Sequence, residues 1–114
     1  MRSVILLVLA SLVVGCSSGE VSAPQGDAPH PVDAVGVTSW NPTPITIKAG
    51  EAVTFRNATG AVHNVQFDQG AVGRPGNVSD FGSASRSVVF MTAGSFNYHC
   101  GIHPAMQGQV IVQP

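Results

Sequence analysis

Charge is what this chain has least of. Only 10% of its 114 residues are Asp, Glu, Lys or Arg, and the formal net charge is −1. A nucleic-acid binder needs a basic stripe to neutralise phosphates, and none is present. With 44% hydrophobic residues the chain is not a charge-solvated disordered tail either. Helical periodicity is missing as well: no stretch of useful length repeats apolar residues every three or four positions. Cysteine is confined to Cys16 and Cys100. Also absent are a paired general acid and base, a nucleophilic triad and a glycine-rich phosphate loop, so the chain is not expected to be an enzyme.

The one long apolar run lies at the start. Arg2 gives a positive beginning, Val4 to Val14 an apolar core, and Gly15 a small residue before Cys16. This is the pattern of an export signal over 1–15, too short and wrongly flanked for a membrane span. Val13-Val14-Gly15-Cys16 resembles the lipobox of bacterial lipoproteins, which implies cleavage before Cys16 and lipidation of its sulfur. An ordinary signal with an incidental cysteine, or a buried N-terminal helix, is the plainer alternative. Residues 16–33, rich in Ser, Gly, Ala and Pro, read as a linker that lifts a domain off a membrane. His30 sits there between two prolines as a solvated residue. The expected location is the bacterial cell envelope, periplasmic or outer-facing, with the membrane contacted through Cys16.

Residues 34–114 change character. Short alternating runs recur at Val35–Ser39, Ile45–Lys48, Val53–Arg56, Val62–Phe67, Ser85–Met91, Ser95–Cys100 and Gln109–Val112, separated by turn residues. About seven short strands at such spacing predict an all-β domain, a sandwich or barrel. The predicted core is Val35, Val37, Ile45, Ile47, Val53, Phe55, Val65, Phe67, Val88, Phe90, Phe96, Val110 and Val112. The segment 71–84 reads as a long irregular loop with no assigned role.

Chemistry concentrates in Cys100-Gly101-Ile102-His103-Pro104-Ala105-Met106, where thiolate, imidazole and thioether follow one another at intervals of three. Soft sulfur donors with a borderline nitrogen suit copper rather than magnesium or calcium. A blue-copper site takes two His, one Cys and a weak axial Met, which makes His63, upstream in Ala61 to Phe67, the natural fourth ligand. Strand alternation places Phe96, Tyr98 and Cys100 on one face and turns His99 away, to the surface or to a supporting position. Taken singly, His63 could be a core histidine, Met106 core filler and Cys100 a small buried hydrophobe. Zinc competes for a Cys/His site, but a closed structural zinc site uses four strong ligands and a thioether is a poor fourth. Pairing of Cys16 with Cys100 is the other use of two exported cysteines, disfavoured because Cys16 precedes a floppy tether and Cys100 sits among other ligands; a bound metal gives Cys100 a reason to stay reduced.

Thr43 to Asn57, Val62-His63-Asn64-Val65 and Phe96 to Val112 resemble the small blue copper proteins, the cupredoxins. The Cys-x2-His-x2-Met spacing is most similar to the amicyanin form of the ligand loop; plastocyanin and pseudoazurin have a longer gap before Met. The resemblance implies a Greek-key sandwich, with His63, Cys100 and His103 in a trigonal plane and Met106 axial. It implies that Asn64 ties the two ligand segments together near the Cys sulfur. It further implies electron exit through His103, with Ile102, Pro104 and Ala105 as an apolar docking patch for redox proteins in transient contact. The expected function is a monomeric carrier of single electrons. The alternative is a copper carrier or buffer that delivers metal to an envelope oxidase. A copper oxidase or nitrite reductase fragment is disfavoured, because His30 and His99 are too few and too scattered for further copper sites.

Overall fold

The structure is a computed structural model and describes residues 28–114. The proposed signal over 1–15, Cys16 and the linker as far as residue 27 lie outside the described residues. The chain that follows is an all-β sandwich of nine strands. They are β1 (Pro31–Val35), β2 (Ser39–Asn41), β3 (Ile45–Lys48), β4 (Ala52–Arg56) and β5 (His63–Phe67), then β6 (Val78–Phe81), β7 (Ser85–Val89), β8 (Gly94–His99) and β9 (Gln107–Gln113). One sheet has the order β2-β1-β4-β7 and the other β3-β9-β8-β5-β6. Parallel pairing of β1 with β4 and of β3 with β9 inside otherwise antiparallel sheets shows that the chain crosses between layers.

The structure departs from the sequence reading in three places, each for a physical reason. First, the strand expected around Val35 to Ser39 is a hairpin. β1 starts at Pro31, inside the expected linker, and Thr38 N–H bonds back to the Val35 carbonyl to turn the chain into β2. Second, Val32 rather than Val35 faces inward, with Ala34 packed behind it; Val35 and Val37 are each 45% exposed. A parity error of one residue exchanges the two faces of a strand. Third, the expected loop 71–84 contains β6, which pairs with β5.

All the aromatics, one Trp, one Tyr and five Phe, are buried. Trp40, Phe55 and Tyr98 form an edge-to-face cluster with centroids 5.2 to 5.9 Å apart, and Phe67, Phe90 and Phe96 continue it. Such pairs add about 0.5–1.5 kcal/mol each beyond the area they bury. Aromatics make up only 6% of the chain, and all of them are concentrated between the sheets. Tyr98 is opposite Gly108 in the β8–β9 ladder, and its ring lies over that glycine: a Cβ there would sit 2.3 Å from the ring carbon Cζ. Between the sheets the chain passes through Pro42 and Pro44, which have no N–H to give either ladder.

Candidate metal centre

Two strands bring the donors to one end of the sandwich. His63 is the first residue of β5, and Cys100 follows β8 directly. The β8–β9 register runs from Gly94 opposite Val112 to His99 opposite Gln107, so Cys100 to Met106 is the connecting loop of a hairpin. That loop is closed internally: Cys100 N–H donates to the Met106 carbonyl at 3.0 Å, and Met106 N–H to the His103 carbonyl at 2.9 Å. From the opposite sheet, the Trp40 indole N–H also donates to the Met106 carbonyl, at 3.3 Å.

Three donor atoms converge. Cys100 Sγ is 3.8 Å from His63 Nδ1 and 3.8 Å from His103 Nδ1, and the two Nδ1 atoms are 3.2 Å apart. A point equidistant from all three lies about 2 Å from each, the length of metal–nitrogen and metal–sulfur bonds in protein sites. Cys100, His63 and Met106 are fully buried, and Cys100 is a free thiol. His103 is half-buried. The residues present therefore fit a single soft ion.

His63 is held by its far side. Its Nε2 is 3.0 Å from Thr59 Oγ1, whose single hydrogen goes to Asn57 Oδ1 at 2.8 Å. Thr59 Oγ1 must then accept, taking the Ala61 N–H at 3.1 Å and the Nε2–H of His63. This puts the imidazole proton on Nε2 and leaves the Nδ1 lone pair facing Cys100 and His103. Asn57, itself buried, spends its amide on the carbonyls of Ala61 at 2.7 Å and Phe81 at 3.0 Å. Burial lowers the His63 pKa below its usual 6.5, the charge of His103 adds to this, and the Gly36 carbonyl opposes it. A neutral imidazole is the form that binds metal.

The thiolate has its own support. Asn64 N–H points at Cys100 Sγ from 3.4 Å, and Asn64 Oδ1 accepts the Gly101 N–H at 2.6 Å. Asn64 Nδ2 donates to Asp80 Oδ1 at 3.0 Å. Ile102 is 44% exposed, Pro104 and Ala105 are exposed, and Val62 is 47% exposed beside His63, giving His103 an apolar surround.

The remaining histidines lie elsewhere. His99 is turned from the donors and sits 3.8 Å from Asp68 Oδ1. His30 bonds to Glu51. Sequence reasoning missed Thr59, Asn57, Trp40 and Asp80. The Asn-x-Thr offset that lets Asn57 Oδ1 accept the Thr59 N–H at 3.1 Å is a turn signature, and it was legible as such; nothing in it announced a histidine partner.

The sequence profile of copper binding proteins, plastocyanin/azurin family, matches residues 32–113. Amicyanin of Paracoccus versutus is 36% identical over 96 residues, covering 79% of this chain and 73% of that protein. Plastocyanin of Scenedesmus fuscus is 38% identical over 88 residues, covering 68% of this chain and 90% of its own. A solved amicyanin mutant in its reduced Cu(I) form at pH 4 aligns with a TM-score of 0.67 at 32% identity, covering 76% of this chain and 84% of that one.

Proposed function

The chain belongs to the plastocyanin/azurin family of copper binding proteins, and from that membership we propose that it carries single electrons between redox proteins of the cell envelope. His63, Cys100 and His103, with Met106 beside them, are the residues that would hold the copper. The observation that carries this reading is the triangle of His63 Nδ1, His103 Nδ1 and Cys100 Sγ, closed by protein atoms within one buried end of the sandwich. Bound copper supplies a one-electron couple there. The chain's own residues do the rest. Thr59 fixes the His63 tautomer, Asn64 steadies the thiolate, and the aromatic cluster keeps water from the far side. Donors mounted on strands and restrained by hydrogen bonds limit rearrangement between oxidation states.

Every proposed ligand comes from the protein, so no position is reserved for a substrate, unlike a catalytic metal site. His103 is the only one of the three clustered donors that is not fully buried, and its apolar surround suits the small, transient interfaces of redox partners. Domain organisation follows the same reading: a signal over 1–15, a tether from a lipidated Cys16, and a monomeric copper domain. β1 starts at Pro31 and climbs toward Gly36, whose carbonyl faces His63. A tether ahead of Pro31 would therefore meet the domain at the end away from the donors.

The copper-loaded protein is expected to show an intense thiolate-to-copper band and narrow hyperfine splitting. His103→Gly should leave a folded protein whose copper accepts exogenous imidazole and whose electron exchange with partners slows at least tenfold. Unchanged spectra and rates in that variant would overturn the assignment. Copper retained through stopped-flow turnover separates a carrier of electrons from one that delivers the metal.

A further inference from the structure

Asn64 can be oriented in two ways, since its amide oxygen and nitrogen exchange places by a half-turn. Only one orientation offers Oδ1 to the Gly101 N–H at 2.6 Å. What selects it is on the other side of the amide. Asp80 Oδ1 lies 3.0 Å from Nδ2, and a carboxylate accepts but cannot donate. With Asp80 in place, the amide nitrogen must face β6 and the oxygen must face the ligand loop.

The backbone explains how an exposed carboxylate comes to be aimed there. His63 pairs with Phe81 and Val65 with Val78, so the single residue Asn64 on β5 stands opposite two on β6, Ser79 and Asp80. This is a bulge, and bulges re-aim a side chain that regular pleating would send elsewhere. The stretch 71–84, which had no role in the sequence reading, contains this bulge.

We propose that Asp80 is a positioning residue for the metal loop: through Asn64 it fixes the Gly101 amide and, with it, the hydrogen bonding around the Cys100 sulfur. The linkage runs from Asp80 Oδ1 to Asn64 Nδ2, then from Asn64 Oδ1 to Gly101 N–H, while Asn64 N–H addresses Sγ directly. Hydrogen bonds to a ligating thiolate are among the groups that set the potential of such a site. Anionic Asp80 also favours the more positive oxidation state, an effect reduced by its exposure to solvent. The inference rests on the copper reading for its effect on potential, but not for its effect on the loop.

Two measurements test it. In the metal-free protein, Asp80→Ala should accelerate hydrogen exchange of the Gly101 amide about tenfold, the loss expected from releasing one hydrogen bond of ordinary strength. Asp80→Asn, which can still accept the bond, should do so less. In the copper-loaded protein, Asp80→Asn should raise the equilibrium constant for reduction about threefold, about 30 mV at 59 mV per decade. Asp68→Asn makes the same charge change at a carboxylate with no contact to Asn64, and should leave the potential near that of the parent. Gly101 exchange unchanged in Asp80→Ala, or equal potential shifts in Asp80→Asn and Asp68→Asn, would overturn the proposal. A parent protein without a thiolate band would defeat the copper reading alone, since the exchange measurement needs no metal.

Discussion

The five-stranded sheet carries every candidate donor, whereas the four-stranded sheet supplies none and meets the site through the Trp40 indole and, just past the end of β4, through Asn57 and Thr59, which hold His63. His63 heads β5, Cys100 follows β8, and His103 and Met106 complete the loop into β9. The four-stranded sheet instead presents Val32, Trp40, Val53, Phe55 and Val88 as an apolar lid on the inner face. One layer fixes distances between donors; the other excludes water from behind them. A site built this way tolerates changes in the lid better than changes in the ladder that sets the loop's register.

Gly108→Ala tests the ladder. The new Cβ would fall 2.3 Å from Tyr98 Cζ, so the ring must leave its place between Trp40, Phe55 and Phe67 or the strands must part. Overpacking of this kind costs about 1–3 kcal/mol, readable as a lower urea midpoint at constant slope. Tyr98 is two residues before Cys100 on the same inward face, so the copper spectrum should move as well. Trp40→Phe tests the lid. It keeps an aromatic body and removes one donor to a Met106 carbonyl that Cys100 N–H still satisfies. The expected loss is smaller, about 0.5–1.5 kcal/mol, with the spectrum nearly unchanged. Equal spectral shifts in the two variants would break the division between the sheets.

The same division explains what could be read in advance. The donors were legible because their chemistry is carried by side-chain type and short spacing: Cys100, His103 and Met106 sit within seven consecutive residues. The structure brings two of them, Cys100 and His103, together with His63. What failed was parity and register. Val35 and Val37 looked like core because valines favour strands, yet β1 begins earlier and its inward set is Val32 and Ala34. Trp40 lies just before Asn41-Pro42, where a run would be expected to stop, and its role across the sandwich depends on β2, a strand only three residues long. β6 was invisible for a related reason. Val78-Ser79-Asp80-Phe81 is short, half polar and flanked by glycine, and its bulge breaks the alternation by which a strand is recognised. Supporting residues such as Thr59 and Asp80 act through geometry that only pairing creates.

The smallest expected effect lies at the far end, where the four-stranded sheet begins and the proposed tether would join. There His30 hydrogen-bonds to Glu51, and Glu51 also accepts the Lys48 N–H at 3.2 Å. The His30 bond is the main reason the Glu51 pKa is lowered from its usual 4.5; desolvation opposes it, and the Lys48 N–H and the charges of His30 and Lys48 assist. A carboxyl group whose pKa falls on folding holds fewer protons in the native state than in the unfolded one just below that value. Its stabilising contribution is therefore complete above about pH 4.5 and is lost as pH falls through the folded value. Glu51→Gln should leave the urea midpoint almost unchanged at neutral pH, as expected for a solvent-screened pair. On acidification below about pH 4.5 the parent should lose more of its midpoint than the variant, and added salt should shrink the difference. The copper spectrum at neutral pH should be the same in both, because no donor lies at that end. A spectral change in Glu51→Gln would mean that the clamp at the base reaches the metal loop through the sheet, and that the two ends are not independent.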